Sequence, residues 1–223
     1  AALVAARAAR FEVSVVYVNL VGGQDELVFD GDSLVVDADA NIAARGLLFE
    51  PDMIELELDG KRITARSDAH AAPEALSSEA VTYKALVTGT RDYVGKHGFP
   101  GVVLGLSGGI DSALTLAIAV DALGADQVEA VSMPSRYTAD MSVEDALEQA
   151  RGLGVSASVI PIEPAFQAFL GMLADTFAGL EMDVTEENIQ ARCRRMILMA
   201  MSNKFGCMLL TTGNKSEMAG CYA

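Results

Sequence analysis

Residues 101–124, GVVLGLSGGIDSALTLAIAVDALG, constrain the fold more than any other stretch. GVVLGLS (101–107) is an apolar run with no polar alternation, so it reads as a strand buried on both faces. It passes through a Gly-Gly pair into DSALTLAIAVDALG (111–124), a helix that Gly124 closes at its C-cap. The alternation then continues. QVEAVSM (127–133) is a strand, SVEDALEQARGLG (142–154) a helix opened by a Ser142 cap, and SASVIPI (156–162) a strand. Helices follow near 164–178 and 186–203, then the strand CMLLTT (207–212). Strand–helix repetition with unalternating strands predicts an α/β fold, a parallel sheet with helices on both faces. Ligands of such sheets sit at the carboxyl ends of strands, which is where GLSGGIDS (105–112) falls.

The first 80 residues read differently. Residues 1–10 form a helix, VSVVYVNLVG (13–22) and SLVVDAD (33–39) are strands, and FDGDS between them is a turn at Gly31. MIELELDG (53–60) alternates like a half-buried strand. This β-rich piece has too few elements for a full domain. KRITARSDAHAAPEALSSE (61–79) has no apolar period and reads as a linker; residues 80–97 resume a helix with Val81, Leu86, Val87, Thr90, Tyr93 and Val94 near one face.

The loop raises a chemical question. It has phosphate-loop composition but lacks the Gly-Lys-[Ser/Thr] ending of the common nucleotide-triphosphatase loop. Gly105 lets a ligand approach the strand end, Ser107 offers a hydroxyl, and Gly108 and Gly109 can turn their N–H groups inward. Asp111 and Ser112 open a helix whose N-terminus favours an anion. Beside an anion, Asp111 makes sense as a helix cap or as the ligand of a bridging cation. The bland alternative is a Gly-rich turn capped by Asp111. Charge sharpens the point: the 223 residues carry 31 acidic against 16 basic groups, net −15. That argues against nucleic-acid binding, so any anion must be held locally, by N–H groups, helix termini, a few cations and metal ions.

Three further stretches carry polar groups at useful places. In VTEENIQARCRRM (184–196), Asn188, Arg192 and Arg195 share one helix face, with Ile189, Cys193, Met196 and Ala200 opposite. In LLTTGNKSEMA (209–219), a strand runs into a loop bearing Thr212, a hydroxyl donor, and Glu217, a possible metal ligand. In VSMPSRYTADMS (131–142), Met133 can pack on an adenine ring and Arg136 can reach a phosphate. Each is otherwise a solvated face or an ordinary turn. Cys193, Cys207 and Cys221 form no C-x-x-C pair and are expected to be buried, reduced thiols of a cytosolic protein. His70 and His97 read as surface residues. No apolar run reaches the roughly 18 residues of a membrane span.

The S-G-G-x-D-S loop resembles the pyrophosphate loop of the PP-loop ATP pyrophosphatases, which split ATP between its α- and β-phosphates. With ENIQAR, TTGNKSE and MPSRYTADMS, the resemblance narrows to the glutamine-dependent NAD synthetases and covers nearly all of residues 80–223. It implies that Gly105, Leu106, Ser107, Gly108, Gly109, Ile110, Asp111, Ser112, Met133 and Thr212 bind ATP. It implies that Asn188, Arg192 and Glu217 bind deamido-NAD, and that Asp111 and Glu217 hold Mg2+ and serve catalysis. The implied partners are ATP, deamido-NAD and ammonia or glutamine, in a homo-oligomer. Ala139 departs from the family, which usually has Ser there. VVYVNLVGGQDELVFDGDSLVVDAD (15–39) resembles the late strands of the nitrilase-like glutaminase domain of that family. Its Glu-Lys-Cys triad falls outside this sequence, as do later substrate residues, so the sequence is expected to be an excerpt cut at both ends. The expected organisation is 1–60 glutaminase end, 61–79 linker and 80–223 synthetase. The rivals are another PP-loop amidotransferase such as GMP synthetase, or a non-catalytic nucleotide-binding module.

Overall fold

The computed structural model describes residues 1–60, 62–66 and 76–212, which form two compact units divided between Tyr93 and Val94.

The first unit opens with α1 (Ala2–Phe11), closed by Glu12 in the left-handed conformation. Seven short strands follow: β1 (Val15–Tyr17), β2 (Val21–Gln24), β3 (Leu27–Asp30), β4 (Leu34–Val36), β5 (Ile42–Arg45), β6 (Leu56–Asp59) and β7 (Arg62–Ala65). They build an antiparallel sheet in the order β1-β4-β5 and two hairpins, β2-β3 and β6-β7. The unit is thus richer than its sequence suggests, and two expectations are corrected. Residues 13–22 are two strands, because Asn19 diverts the chain from any ladder. Its N–H donates to Ser33 Oγ (3.0 Å), its amide to Asp30 Oδ1 (2.9 Å), and its own Oδ1 accepts from the Leu20 N–H (3.0 Å). Residues 62–65 belong to a strand and not a linker: Gly60 turns at φ +59, and Ile63 points inward at 5% exposure. The helix α2 (Ser78–Lys96) starts slightly earlier than expected. Its buried positions are Val87, Thr88 and Val94, whereas Leu86 and Tyr93 are exposed, against expectation.

The second unit alternates as its sequence predicts. β8 (Val102–Leu106) leads to α3 (Ile110–Leu123), β9 (Val128–Ser132) to α4 (Asp140–Gly152), and β10 (Ser156–Val159) to α5 (Glu163–Leu173). Then come α6 (Val184–Phe205) and β11 (Met208–Leu210). The sheet is parallel, in the order β10-β9-β8-β11. Its two faces are filled separately. Val102, Leu104 and Leu106 pack with Leu116 and Ala119 of α3 and Ala146 and Ala150 of α4. Val103 and Val131 pack on the other face with Cys193, Ile197 and Leu198 of α6. Several details differ from expectation: β10 ends at Val159 and α5 at Leu173, short of the expected 162 and 178. α4 begins at Asp140, with Ala139 as N-cap and no side-chain cap, so Ser142 is its third residue and not its cap. On α6 the packed row is Ile189–Cys193–Ile197–Met201, at i, i+4 spacing, so Met196 (70% exposed) and Ala200 lie off it. α6 itself is fixed by a capping box: the Thr185 N–H donates to Asp183 Oδ1 (2.7 Å) and the Asp183 N–H to Glu186 Oε2 (2.9 Å).

Candidate functional site

β8 is the first strand of its sheet, yet it lies inside it, with β9 on one side and β11 on the other. The winding therefore reverses at β8, and the carboxyl end of such a strand is where open α/β sheets bind ligands. A cavity of about 330 Å³ lies there. Its walls are Gly105 to Ser107 and Ser112, then Ser132 to Pro134 with Thr138, then Arg194, Arg195 and Leu198 of α6, and Leu209 to Thr212.

The two serines lock the loop. Ser112 Oγ has one proton, which it gives to the Gly109 carbonyl (2.9 Å). It therefore accepts from the Ser107 N–H (3.3 Å) and the Ser107 hydroxyl (3.1 Å), whose oxygen accepts from the Gly109 N–H (3.1 Å). Ser112 is buried and the rest of the turn is exposed. The N-cap of α3 is Gly109, with no side-chain cap, so Asp111 is a first-turn carboxylate and not the cap. The N–H groups of Ile110, Asp111 and Ser112 have no intrahelical partner, which leaves them for a ligand.

The glycines have distinct reasons. Gly108 has φ +80, and a Cβ there would sit 2.4 Å from the Ser142 carbonyl oxygen, so its bareness lets the loop rest on the first turn of α4. A Cβ on Gly105 would sit 2.9 Å from Met133 Cε and 3.3 Å from Leu198. The strand end thus faces α6, with buried Met133 lying across it.

The sequence-derived candidates divide accordingly. Gly105, Leu106, Ser107, Ser112, Met133 and Thr212 line the cavity. Gly108, Gly109, Ile110 and Asp111 supply the exposed turn and helix start beside it, with the Ile110 side chain 80% exposed. Leu106 presents its strand end here while its side chain fills the core against α3. Asn188 and Arg192 do not line the cavity. The Arg192 guanidinium is exposed and donates to the Asn188 carbonyl one turn back (3.1 Å). Arg136 does not turn toward the cavity either: it closes on Glu163, Nε to Oε1 at 2.8 Å, with a second contact from Nη2. That pairing holds the Glu163 carboxyl below its usual range and raises the guanidinium. Glu217 and Cys221 lie outside the described residues. Cys193 is buried as expected, which pushes its thiol up; Cys207, a second free thiol, is only half-buried, against expectation, and His97 sits on the surface beside Phe99.

Sequence reasoning missed Arg194. It stands beside the packed Cys193 and one turn before Leu198, a position that a helical projection of the true packed row would have turned toward the sheet end. Its Nε donates to the Met133 carbonyl (3.0 Å), and burial lowers its basicity. Among the described residues there is no cluster of three His, Cys, Asp or Glu side chains, and no helix is long and apolar enough to cross a membrane.

A parallel sheet that delivers a glycine loop to a helix start at its switch point is the architecture of the PP-loop nucleotide enzymes, and known proteins narrow the class. The sequence profile of the NAD synthase family matches residues 82–223. A glutamine-dependent NAD(+) synthetase from Acinetobacter baylyi is 49% identical over 96% of this chain and 39% of its own length. The solved glutamine-dependent NAD+ synthetase from Acinetobacter baumannii, in complex with ADP, superposes with a TM-score of 0.92 at 48% identity, over 99% of this chain and 42% of that one. An NH3-dependent NAD synthetase from Campylobacter jejuni is 30% identical, with a TM-score of 0.58, over 67% of this chain and 62% of that one. The chain belongs to the NAD synthase family. It spans about 40% of the length of the glutamine-dependent relatives. A GMP synthetase reading is not favoured by these matches.

Proposed function

We propose that this chain carries the ATP site of an enzyme that amidates deamido-NAD to NAD, with ammonia drawn from glutamine. The observation that supports this best is the locked S-G-G-x-D-S turn at the switch-point end of β8, with free helix N–H groups beside a cavity and Met133 in its wall. Triphosphate oxygens would lie against those N–H groups, and adenine against Met133. The nicotinate carboxylate would attack the α-phosphorus, pyrophosphate would leave, and ammonia would displace AMP from the acyl-adenylate. A carboxylate attacking phosphorus needs no general base, so the loop's work is positioning and charge stabilisation.

Mg2+ belongs to this reading. Magnesium sites use one or two carboxylates together with substrate phosphates, and Asp111, exposed in the first turn of α3, fits that role. Bound there, the ion would supply neutralisation of pyrophosphate charge; Asp111 and Glu217 are the residues proposed to hold it. Asn188 and Arg192 are proposed for deamido-NAD, which requires Arg192 to leave the Asn188 carbonyl. A cytoplasmic homo-oligomer completes the reading.

Product analysis tests it. The whole protein, given ATP, deamido-NAD and an ammonium salt, should form NAD, AMP and pyrophosphate in equal amounts. ADP and phosphate as products would contradict it.

A further inference from the structure

Among the described residues, Arg194 is a cation with no counter-charge. Arg45 pairs with Asp32 and Arg136 with Glu163, but no carboxylate among the described residues pairs with Arg194. It is also half-buried, and leaving a buried charge unpaired is costly. A chain with 31 acidic residues nonetheless places none of the described ones against it.

Its one bond says where it stands. The Nε proton goes to the Met133 carbonyl, just past the last residue of β9. Met133 crosses Gly105 on one side and continues into Pro134 and the turn to Thr138 on the other. Met133, the proposed adenine contact, therefore stands next to the glycine loop, and Arg194 is fastened at its carbonyl, lining the same cavity as Ser107 and Thr212. Among the described residues nothing accepts from the other four of its five N–H groups, which lie in a planar fork suited to two phosphate oxygens.

We infer that Arg194 binds the α-phosphate of a nucleotide whose β- and γ-phosphates lie on the loop and whose base lies against Met133. This rests on the ATP reading of the site and adds the group that holds the reacting phosphorus. The α-phosphate stays with AMP when pyrophosphate leaves, so AMP should feel Arg194 and pyrophosphate should not. The Nε bond to Met133 would keep the fork in place before and after the cleavage.

Calorimetric titration of the whole protein with ATP, AMP, pyrophosphate and adenosine tests this in the wild type, Arg194→Met and Arg194→Lys. ATP and AMP should weaken by about 10- to 100-fold in Arg194→Met, the size of a lost charged hydrogen bond. Arg194→Lys, which keeps the charge and loses the fork, should weaken both by a smaller factor. Pyrophosphate and adenosine should stay within about threefold of wild type. If Arg194→Met does not fold, the same pattern in Arg194→Lys carries the result. An equal loss for adenosine would overturn the assignment, making Arg194 a prop for Met133. So would a loss for pyrophosphate with AMP unchanged. Tight ATP binding in the wild type, unaltered in both variants, would overturn this inference alone. A wild type that binds none of the four would overturn the nucleotide reading and the inference with it.

Discussion

In the second unit, Val102, Val103 and Leu104 are at most 1% exposed, because β8 has a strand on each side and helices over both faces. In the first unit, β1 leaves Val16 50% and Tyr17 44% exposed, and its neighbours Val18 and Leu20 are more exposed still. Both stretches are apolar and β-branched. The difference lies in what surrounds them. A strand covered on both faces announces itself in sequence as an unbroken apolar run, and everything after it falls into place. In the antiparallel unit, side chains set the path. Asn19 interrupts a run that looks continuous. Asp37 Oδ1 accepts from the N–H groups of Asp39 (2.9 Å) and Asn41 (2.8 Å), turning the chain from β4 into a β5 that the sequence had not revealed.

The proposed function puts the nucleotide on the second unit, and the largest effect should come from its loop. Gly108→Ala adds a Cβ onto the Ser142 backbone at a positive φ. It should cost about 3 kcal/mol of stability or loop order, read as roughly 100-fold weaker ATP binding. Normal binding would mean that the loop does not rest on α4 as described.

Next in size is a cut in the other unit. Ile63→Ala empties a buried position of β7 and should cost about 2–4 kcal/mol in thermal or denaturant unfolding. ATP affinity in the folded variant should stay within about twofold of wild type, a change under about 0.5 kcal/mol. A large affinity loss would end the division of labour between the units.

A smaller effect, of opposite sign, is expected at the start of α4. Ala139 is an N-cap without a capping side chain. Ala139→Ser should stabilise the protein by about 1 kcal/mol, seen as a raised unfolding midpoint. No gain would mean that the Met141 N–H cannot reach a hydroxyl there, the Ser142 N–H being held by the Ala139 carbonyl (3.0 Å).

The smallest effect is at the Arg136–Glu163 pair. Glu163 is held below its ordinary value of 4.5, first by the Arg136 side chain. A lowered carboxylate contributes stability above its unfolded value and loses it as pH falls through the folded one. Wild type should therefore exceed Glu163→Gln slightly in stability at neutral pH, and the two should converge as pH falls through the lowered folded-state value. A gap that persists in acid would show that the carboxylate's charge is not what matters.

The site was legible to the extent that backbone chemistry carries it. The strand and the loop after it are local in sequence, so their places could be read there, while the helix starts one residue earlier than the sequence suggests. Arg194 was not legible, because its importance depends on which face of α6 is packed. The run from Ile189 to Met201 offers two overlapping apolar rows, and the sequence reading took Met196 and Ala200 where the fold takes Ile197 and Met201. Asp111 looked like a cap because Gly109, which has no side chain to signal its role, holds that position.

Hydrogen exchange of the whole protein with and without ATP and magnesium tests the central claim most directly. Binding at the carboxyl end of β8 predicts slowed exchange in peptides covering 105–116, 131–143 and 190–199, with none in 15–59. Slowing confined to 15–59, or to the opposite end of the sheet around 126–129 and 156–158, would contradict it.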